Sequence, residues 1–308
     1  MKTIDILCVG EVLIDFIGHE VNKSIRHTKN YHRFLGGSPT NVAVNASKLG
    51  LNSLLVATCG TDGLGNYIVE KLQKKGVDCR SLRQDETHPT SVIFVSKSTT
   101  TPDFVAYRQA DAQILESQLS EEMLCKAKIF HTTCFALSKN PAQQTIIIKA
   151  KKAQALGLQT SIDINYSEKI WPNKEEAKAI IASYLETKPF VKLSEDDCLR
   201  WFEEEKSEAF IFDYFHALGA KIICYTKGKD GVVVSEQGKM PYAQPALVID
   251  AIKDATGAGD AFWTGFLYGQ ITNKSVEESI ILAQKLAAIK LQSIGQLPED
   301  FTVEDLVV

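Results

Sequence analysis

Five short, predominantly apolar runs constrain this chain more than any other feature of its sequence. Ile4 to Val9 is closed by Gly10, and residues 54–59 are closed by Gly60; residues 129–133, 160–164 and 222–226 read the same way. A strand buried on both faces must be apolar throughout, whereas a half-buried one alternates. Between these runs, residues 41–49, 65–75, 141–156, 174–185 and 213–218 carry helical periodicity. Strand and helix alternating in this order predict an α/β fold, a mostly parallel sheet flanked by helices on both faces. Two segments break the alternation. Residues from about 15–35 and 90–107 alternate polar and apolar, which predicts half-buried antiparallel strands. They would form a small sheet beside the main one, a lid over a pocket and a candidate homodimer contact. No composition shift, low-complexity tract or repeat marks a linker, so residues 1–308 are expected to form a single domain.

Composition narrows the function by exclusion. A formal net charge of −4 leaves no basic footprint, which argues against nucleic acid as a partner. Seven cysteines are scattered without a C-x-x-C, which reads as reduced thiols in a cytoplasmic protein. The six histidines show no zinc-ligand spacing. Asp5, Glu11 and Asp15 interrupt the N-terminal apolar stretch, so no signal peptide is expected there. No run reaches the roughly 18 apolar residues that a membrane span requires.

The chemistry concentrates in Asp254-Ala-Thr-Gly-Ala-Gly-Asp260, followed at helical spacing by Ala261, Phe262, Gly265, Phe266 and Gly269. Glycine lets backbone N–H groups approach a ligand closely, and a helix N-terminus leaves them unpaired at a positive dipole end. A carboxylate in that first turn can take a proton from an attacking hydroxyl. It can equally be a helix cap. Together, cradle and base suggest phosphoryl transfer to an alcohol. Gly10-Glu11-Val-Leu-Ile-Asp15 puts two acids just beyond the first strand, where α/β sheets bind ligands. Gly36-Gly37-Ser-Pro-Thr-Asn41 opens a helix and offers an amide to a hydroxyl, or serves as a plain loop-to-helix turn. No G-x-x-x-x-G-K-[ST] occurs, so a phosphate would have to be held by another device.

These segments together resemble the pfkB (ribokinase-like) family of small-molecule kinases. The run Asp254 to Asp260 is similar to its C-terminal signature, and Gly36-Gly37 through Asn41 to its N-terminal one. Gly60-Thr-Asp62-Gly-Leu-Gly65 and Thr226-Lys-Gly228 with Gly231 match further landmarks in the family's order along the whole chain. The resemblance implies a ribokinase-like fold and an ATP-dependent sugar kinase. It makes Asp260 the base, with the amides of Gly257, Ala258 and Gly259 stabilising the transferring phosphoryl group. It implies sugar contacts from Asp15, Gly36, Gly37, Asn41, Arg108 and Asn165, and nucleotide contacts from Ser194, Thr226, Gly228 and Gly231. The family's N-x-x-E motif, tied to Mg2+, is replaced here by Ser194-Glu195-Asp196-Asp197, leaving Asp197 as a water-mediated magnesium contact. A monovalent cation such as K+ is a further expectation, near Asp254 and the turn Ser293-Ile-Gly295.

The substrate is less sharply implied. Gly-Gly-Ser-Pro, Tyr107-Arg108-Gln-Ala-Asp111 and Asp163-Ile-Asn165-Tyr166 resemble the fructokinase and 2-keto-3-deoxygluconate kinase branches. Where that branch continues D-x-N-x-R, this chain has Ser167 followed by Glu168, which removes a bidentate carboxylate reader. A neutral ketose is therefore the first expectation and a deoxy-keto-acid the second. A catalytically weak sugar- or nucleoside-binding protein on the same fold is the reading from another class.

Overall fold

The computed structural model describes residues 2–97, 103–249, 251–293 and 295–307. The strands are β1 Ile4–Val9, β2 Leu13–Val21, β3 Tyr31–Gly36, β4 Ser53–Gly60, β5 Asp78–Asp85, β6 Val92–Lys97 and β7 Phe104–Tyr107. They continue with β8 Ala127–Thr133, β9 Gln159–Asp163, β10 Phe190–Ser194, β11 Ile222–Thr226, β12 Val232–Glu236 and β13 Tyr242–Gln244. The helices are α1 Ser38–Lys48, α2 Gly63–Lys74, α3 Glu121–Lys126, α4 Ala142–Ala155 and α5 Lys174–Leu185. After them come α6 Glu195–Phe202, α7 Glu208–Ala217, α8 Ala258–Ile271, α9 Val276–Leu291 and α10 Glu304–Val307.

Among the described residues, nine strands form one sheet in the order β13-β12-β11-β10-β9-β8-β1-β4-β5. It is parallel from β11 through β5, and antiparallel only where β12 and β13 are added at one edge. The apolar runs read in the sequence are its centre. Successive residues of β1 serve opposite faces: Leu7 and Val9 join the core on one side, Ile6 and Cys8 that on the other. That is why the run shows no alternation. β10 is not among those runs; its five residues hold Lys192 at the centre, and β5 is an edge strand lined by charged residues. On the far side, Gly265 and Gly269 of α8 lie against α9. A Cβ on them would come within 2.7 Å of Ala283 Cα and 2.3 Å of Ser279 Oγ, so only glycine permits this approach.

The second sheet has the order β3-β2-β6-β7. β2–β3 and β6–β7 are antiparallel as expected, but β2 and β6 pair in parallel, a correction to a wholly antiparallel reading. Both strands rise from the same end of the large sheet, which gives them one direction. Residues 98–102 of the expected strand segment lie outside the described residues. The Gly60–Gly65 landmark anchors this sheet. Asp62 caps α2 by accepting from the amides of Leu64 and Gly65, and its other contacts are the amide and hydroxyl of Thr90, at 2.7 and 2.9 Å. All seven cysteines are free thiols. Among the described residues, no helix is long and apolar enough to cross a membrane.

Candidate active site

The turn from residue 254 to Gly257 feeds α8, with Gly257 at its N-cap in a left-handed conformation (φ 76°). Asp260 sits in the first turn, but its carboxylate does not cap the helix. Oδ1 accepts from Ser38 Oγ at 2.6 Å, and Oδ2 accepts from Asn41 Nδ2 at 2.8 Å. Two glycine-led turns, distant in sequence, thus meet on one carboxylate. Shielding from water raises the Asp260 pKa, while the Ser38 and Asn41 donors and the ammonium groups of Lys192 and Lys290 oppose the rise. The amide of Ala258 donates to Ala255 O at 3.2 Å, so the first-turn amides of Gly257 and Gly259 are better placed than that of Ala258 to meet an anion.

The paired glycines explain how the acids come close. A Cβ on Gly36 would lie 2.2 Å from Asp15 Oδ2, and one on Gly37 (φ 102°) would lie 2.3 Å from the Glu11 carbonyl. The two acids then part company. Glu11 is buried, its Oε1 accepting from the Ser38 amide at 3.0 Å and Oε2 from Thr133 Oγ1 at 2.9 Å. Burial pushes its pKa up to about 8. Asp15 instead faces a cavity of about 550 Å³ between the two sheets. Desolvation and the neighbouring Asp260 charge push its pKa up to about 7.

That cavity is also lined by Ile93 and Val95 of β6, Phe104 of β7, and Asn165, Ser167, Lys169, Asp197 and Arg200. Asn165 accepts from the Phe135 amide at 3.2 Å. Arg108 is elsewhere engaged: its Nε and Nη2 donate to Asp111 Oδ2 at 2.8 and 2.6 Å, its Nη1 to Ser138, and its guanidinium lies 4.0 Å over the Phe135 ring. It is 7% exposed and does not line the cavity. The cavity's cations come from residues that the sequence motifs do not mark. Lys169 pairs with Asp103, and Arg200 donates from α6 to the Tyr166 carbonyl at 3.3 Å, beside Ser167. Arg200 sits three residues after Asp197 on α6, one helical turn along the same face, a spacing that sequence could have offered.

Ser194–Asp197 forms a capping box. Asp197 Oδ2 accepts from the Ser194 amide at 2.9 Å, and Ser194 Oγ accepts from the Asp197 amide at 3.1 Å. One carboxylate oxygen is therefore committed to the helix, and the other faces Arg200 Nη1 at 3.6 Å. Among the described residues no group of three or more acidic, histidine or cysteine side chains is arranged for a metal. A magnesium ion would be held by nucleotide oxygens and water, with Asp197 reached through water, and it would neutralise charge on the β- and γ-phosphates. Thr226 closes β11, its hydroxyl 3.4 Å from Leu193 O. Gly228 has φ 53° in the turn that follows. Gly231 is required for packing, since a Cβ there would lie 2.2 Å from Gln244 O.

A buried ion pair lies beneath the cradle, joining Asp163 of the Asp163–Tyr166 motif to Lys192, which no motif marks. Lys192 Nζ donates to both oxygens of Asp163 at 2.9 Å, and stands 3.2 Å from where a Cβ on Gly259 would be. Burial pushes the Asp163 pKa up to about 6 against the pull of this ammonium. The position expected to take a potassium ion holds another lysine. Lys290 Nζ lies 3.6 Å from Asp254 Oδ2, whose carboxylate also accepts from the amides of Thr256 and Gly295 at 2.9 Å. The potassium expectation does not fit this arrangement. Ile294 of the expected turn lies outside the described residues.

Comparison with known proteins gives the family. A family profile described as pfkB family carbohydrate kinase matches residues 3–299. An ATP-dependent 6-phosphofructokinase of Thermoanaerobacterium thermosaccharolyticum is 33% identical, covering 99% of this chain and 94% of its own. A 5-dehydro-2-deoxygluconokinase of Geobacillus thermodenitrificans is 25% identical, covering 95% of this chain and 88% of its own. The solved fructokinase of Halothermothrix orenii superposes with a TM-score of 0.81 at 31% identity, covering 97% of this chain and all (100%) of its own. An uncharacterized sugar kinase from Pyrococcus horikoshii in complex with ATP gives 0.83 at 26%, covering 94% and 93%. With the profile spanning nearly the whole chain and the signature turns converging on Asp260, this protein belongs to the pfkB family of carbohydrate kinases.

Proposed function

We propose that this kinase phosphorylates a ketose, with Asp260 as its base. The acceptor hydroxyl sits between Asp15 and Asp260. Asp260 takes its proton as the oxygen attacks the γ-phosphorus, and the bond from that phosphorus to the β,γ-bridging oxygen breaks, leaving ADP. The Gly257 and Gly259 amides stabilise the transferring phosphoryl charge, with the Lys192 ammonium behind them. Thr226 and Gly228 border the nucleotide. The β2 and β6 strands cover the sugar and exclude water that would otherwise hydrolyse ATP. The observation that carries the reading is the double anchoring of Asp260 by Ser38 and Asn41, which holds its carboxylate beside the glycine cradle, Oδ2 lying 3.9 Å from where a Cβ on Gly257 would be.

The first acceptor is a neutral ketose, a reading that the identity to the Halothermothrix fructokinase supports. A phosphorylated ketose is the second, for a specific reason. Lys169 and Arg200 both line the cavity that holds Asp15, and the 33% identical Thermoanaerobacterium relative is a 6-phosphofructokinase. A phosphate ester at the end of the sugar away from the attacked hydroxyl would meet these two cations in exchange for their present partners on that wall, Asp103 and Asp197. The test is ADP release measured with fructose, fructose 6-phosphate and 2-keto-3-deoxygluconate. The highest kcat/KM is expected with one of the two ketoses. Preference for the keto-acid would overturn the ketose reading, and binding without turnover would make this a sugar-binding member of the family.

A further inference from the structure

Lys290 stands among oxygens of the kind that hold a large monovalent cation. It belongs to the last turn of α9, and its side chain is 3% exposed. Its Nζ is 3.5 Å from the carbonyl oxygens of Asp254 and Ser293 and 3.6 Å from Asp254 Oδ2. Two carbonyls and a carboxylate around one buried positive charge is the chemistry of a potassium site. A lysine in a last helical turn ordinarily complements the helix dipole from solvent. This one is instead buried into the loop that opens α8, its Cε 3.8 Å from where a Cβ on Gly257 would be. Asp254 ties that loop to the following turn by accepting from the amides of Thr256 and Gly295, and an unneutralised carboxylate there would repel arriving phosphates.

We propose that the Lys290 ammonium is a built-in replacement for a bound monovalent cation. It neutralises Asp254 and clamps the Asp254–Gly257 loop to the turn at Ser293 and Gly295, so the glycine cradle is ordered without potassium. The activity arm of this inference rests on the kinase reading; the stability arm does not. Removing the side chain would enlarge the adjoining cavity of about 30 Å³, lined also by Thr256, Gly257, Gly295 and Gln296, and leave its oxygens free for an ion.

The experiment compares the wild type, Lys290→Ala and Lys290→Gln in tetramethylammonium buffer at constant ionic strength, with lithium, potassium or rubidium chloride added. Melting temperature is read without substrate, and kcat and the KM for ATP with substrate. In the wild type, melting temperature and turnover should be the same in potassium as in lithium. Either variant should lose about tenfold in kcat/KM for ATP, and potassium or rubidium, but not lithium, should restore part of it. The variants' melting temperatures should rise with potassium in parallel. A wild type that is stabilised or activated specifically by potassium overturns the proposal, whether or not the variants fold. So does a folded variant with wild-type kinetics and no potassium response. If no sugar is turned over by any form, the melting arm still decides the cation question, and only the kinase reading falls.

Discussion

Ser38 Oγ donates to Asp260 Oδ1 at 2.6 Å across a separation of 222 residues. That bond joins the N-terminal glycine turn to the first turn of α8, and it favours the ionised form of a carboxyl that desolvation pushes toward the neutral one. Ser38→Ala should therefore raise the apparent pKa of the acid limb of kcat and lower turnover at neutral pH by about tenfold. Gly37, not Ser38, is the N-cap of α1, so melting temperature should hardly change. A pH–rate profile superimposable on the wild type would show that Ser38 does not tune the base.

Asp260→Asn tests the base itself. Asparagine can keep one oxygen and one amide in place of two oxygens, so packing survives while proton acceptance is lost. Turnover should fall by about 10²–10⁴ with little change in the KM for ATP. Near-wild-type kcat in a correctly folded variant would remove Asp260 from the chemistry.

Asp15→Asn should act on both substrate and base. Ionised Asp15 and Asp260 repel each other, and Asp15 is pushed up to about 7 partly by that charge. Substituting asparagine removes the repulsion, so the acid limb of kcat should move to lower pH while the KM for sugar rises. The folded-state pKa of Asp15 is raised, so its ionisation costs native stability as pH climbs from the ordinary aspartate range through about 7. The variant should accordingly gain stability on the wild type above neutral pH. Urea melts and pH–rate profiles of the two proteins check both signs.

Much of the fold could be read from residues whose burial is uniform. The run Ile4 to Val9 shows its strand because both of its faces are buried, whereas β10 holds at its centre Lys192, whose charge is cancelled by Asp163 from a neighbouring strand. That pairing belongs to strand order, which local sequence does not encode. The site divides along the same line. Asp260, Asn41 and Asp15 lie in motifs set by local turn chemistry; Asn41 donates to Asp260, and the Asp260 charge reaches Asp15. Arg108 was legible as an arginine near the sugar segment, but not as the partner of Asp111 three residues on. Lys290 and Arg200 lie beyond the capping boxes that open α9 and α6, in the last turns of those helices, and their partners across the fold appear only when the helices are packed.

Arg108 gives that distinction a test. Its guanidinium and the Asp111 carboxylate are both almost wholly buried, so removing one partner leaves the other uncompensated. Arg108→Met should destabilise the protein by about 3–5 kcal/mol, and Arg108→Met with Asp111→Leu should recover most of that loss. The KM for sugar should be unchanged in the double variant, measured at a temperature where it is folded. A rise in that KM with full stability would mean that Arg108 reads the substrate directly.

Glu11 links stability to the placement of the base. With its pKa pushed up to about 8, it stays largely protonated in the native state at neutral pH, while the unfolded chain releases the proton near the ordinary glutamate value of about 4.3. A raised folded-state pKa contributes stability that is complete below the unfolded value and is lost as pH rises through about 8. The slope of that loss is at most about 1.4 kcal/mol per pH unit. Glu11→Gln keeps an oxygen for the Ser38 amide and cannot ionise, so its stability relative to the wild type should grow steadily between pH 5 and pH 8 (about one proton's slope). Because Glu11 packs under the Ser38 backbone and Ser38 Oγ holds Asp260, the cost of burying a charge on Glu11 should shift this segment and disturb the base at alkaline pH. The wild type should show a basic limb in kcat that the glutamine variant lacks. Parallel urea melts and pH–rate profiles decide it: equal stability slopes would place the Glu11 pKa in the ordinary range, and a shared basic limb would assign that limb to another group.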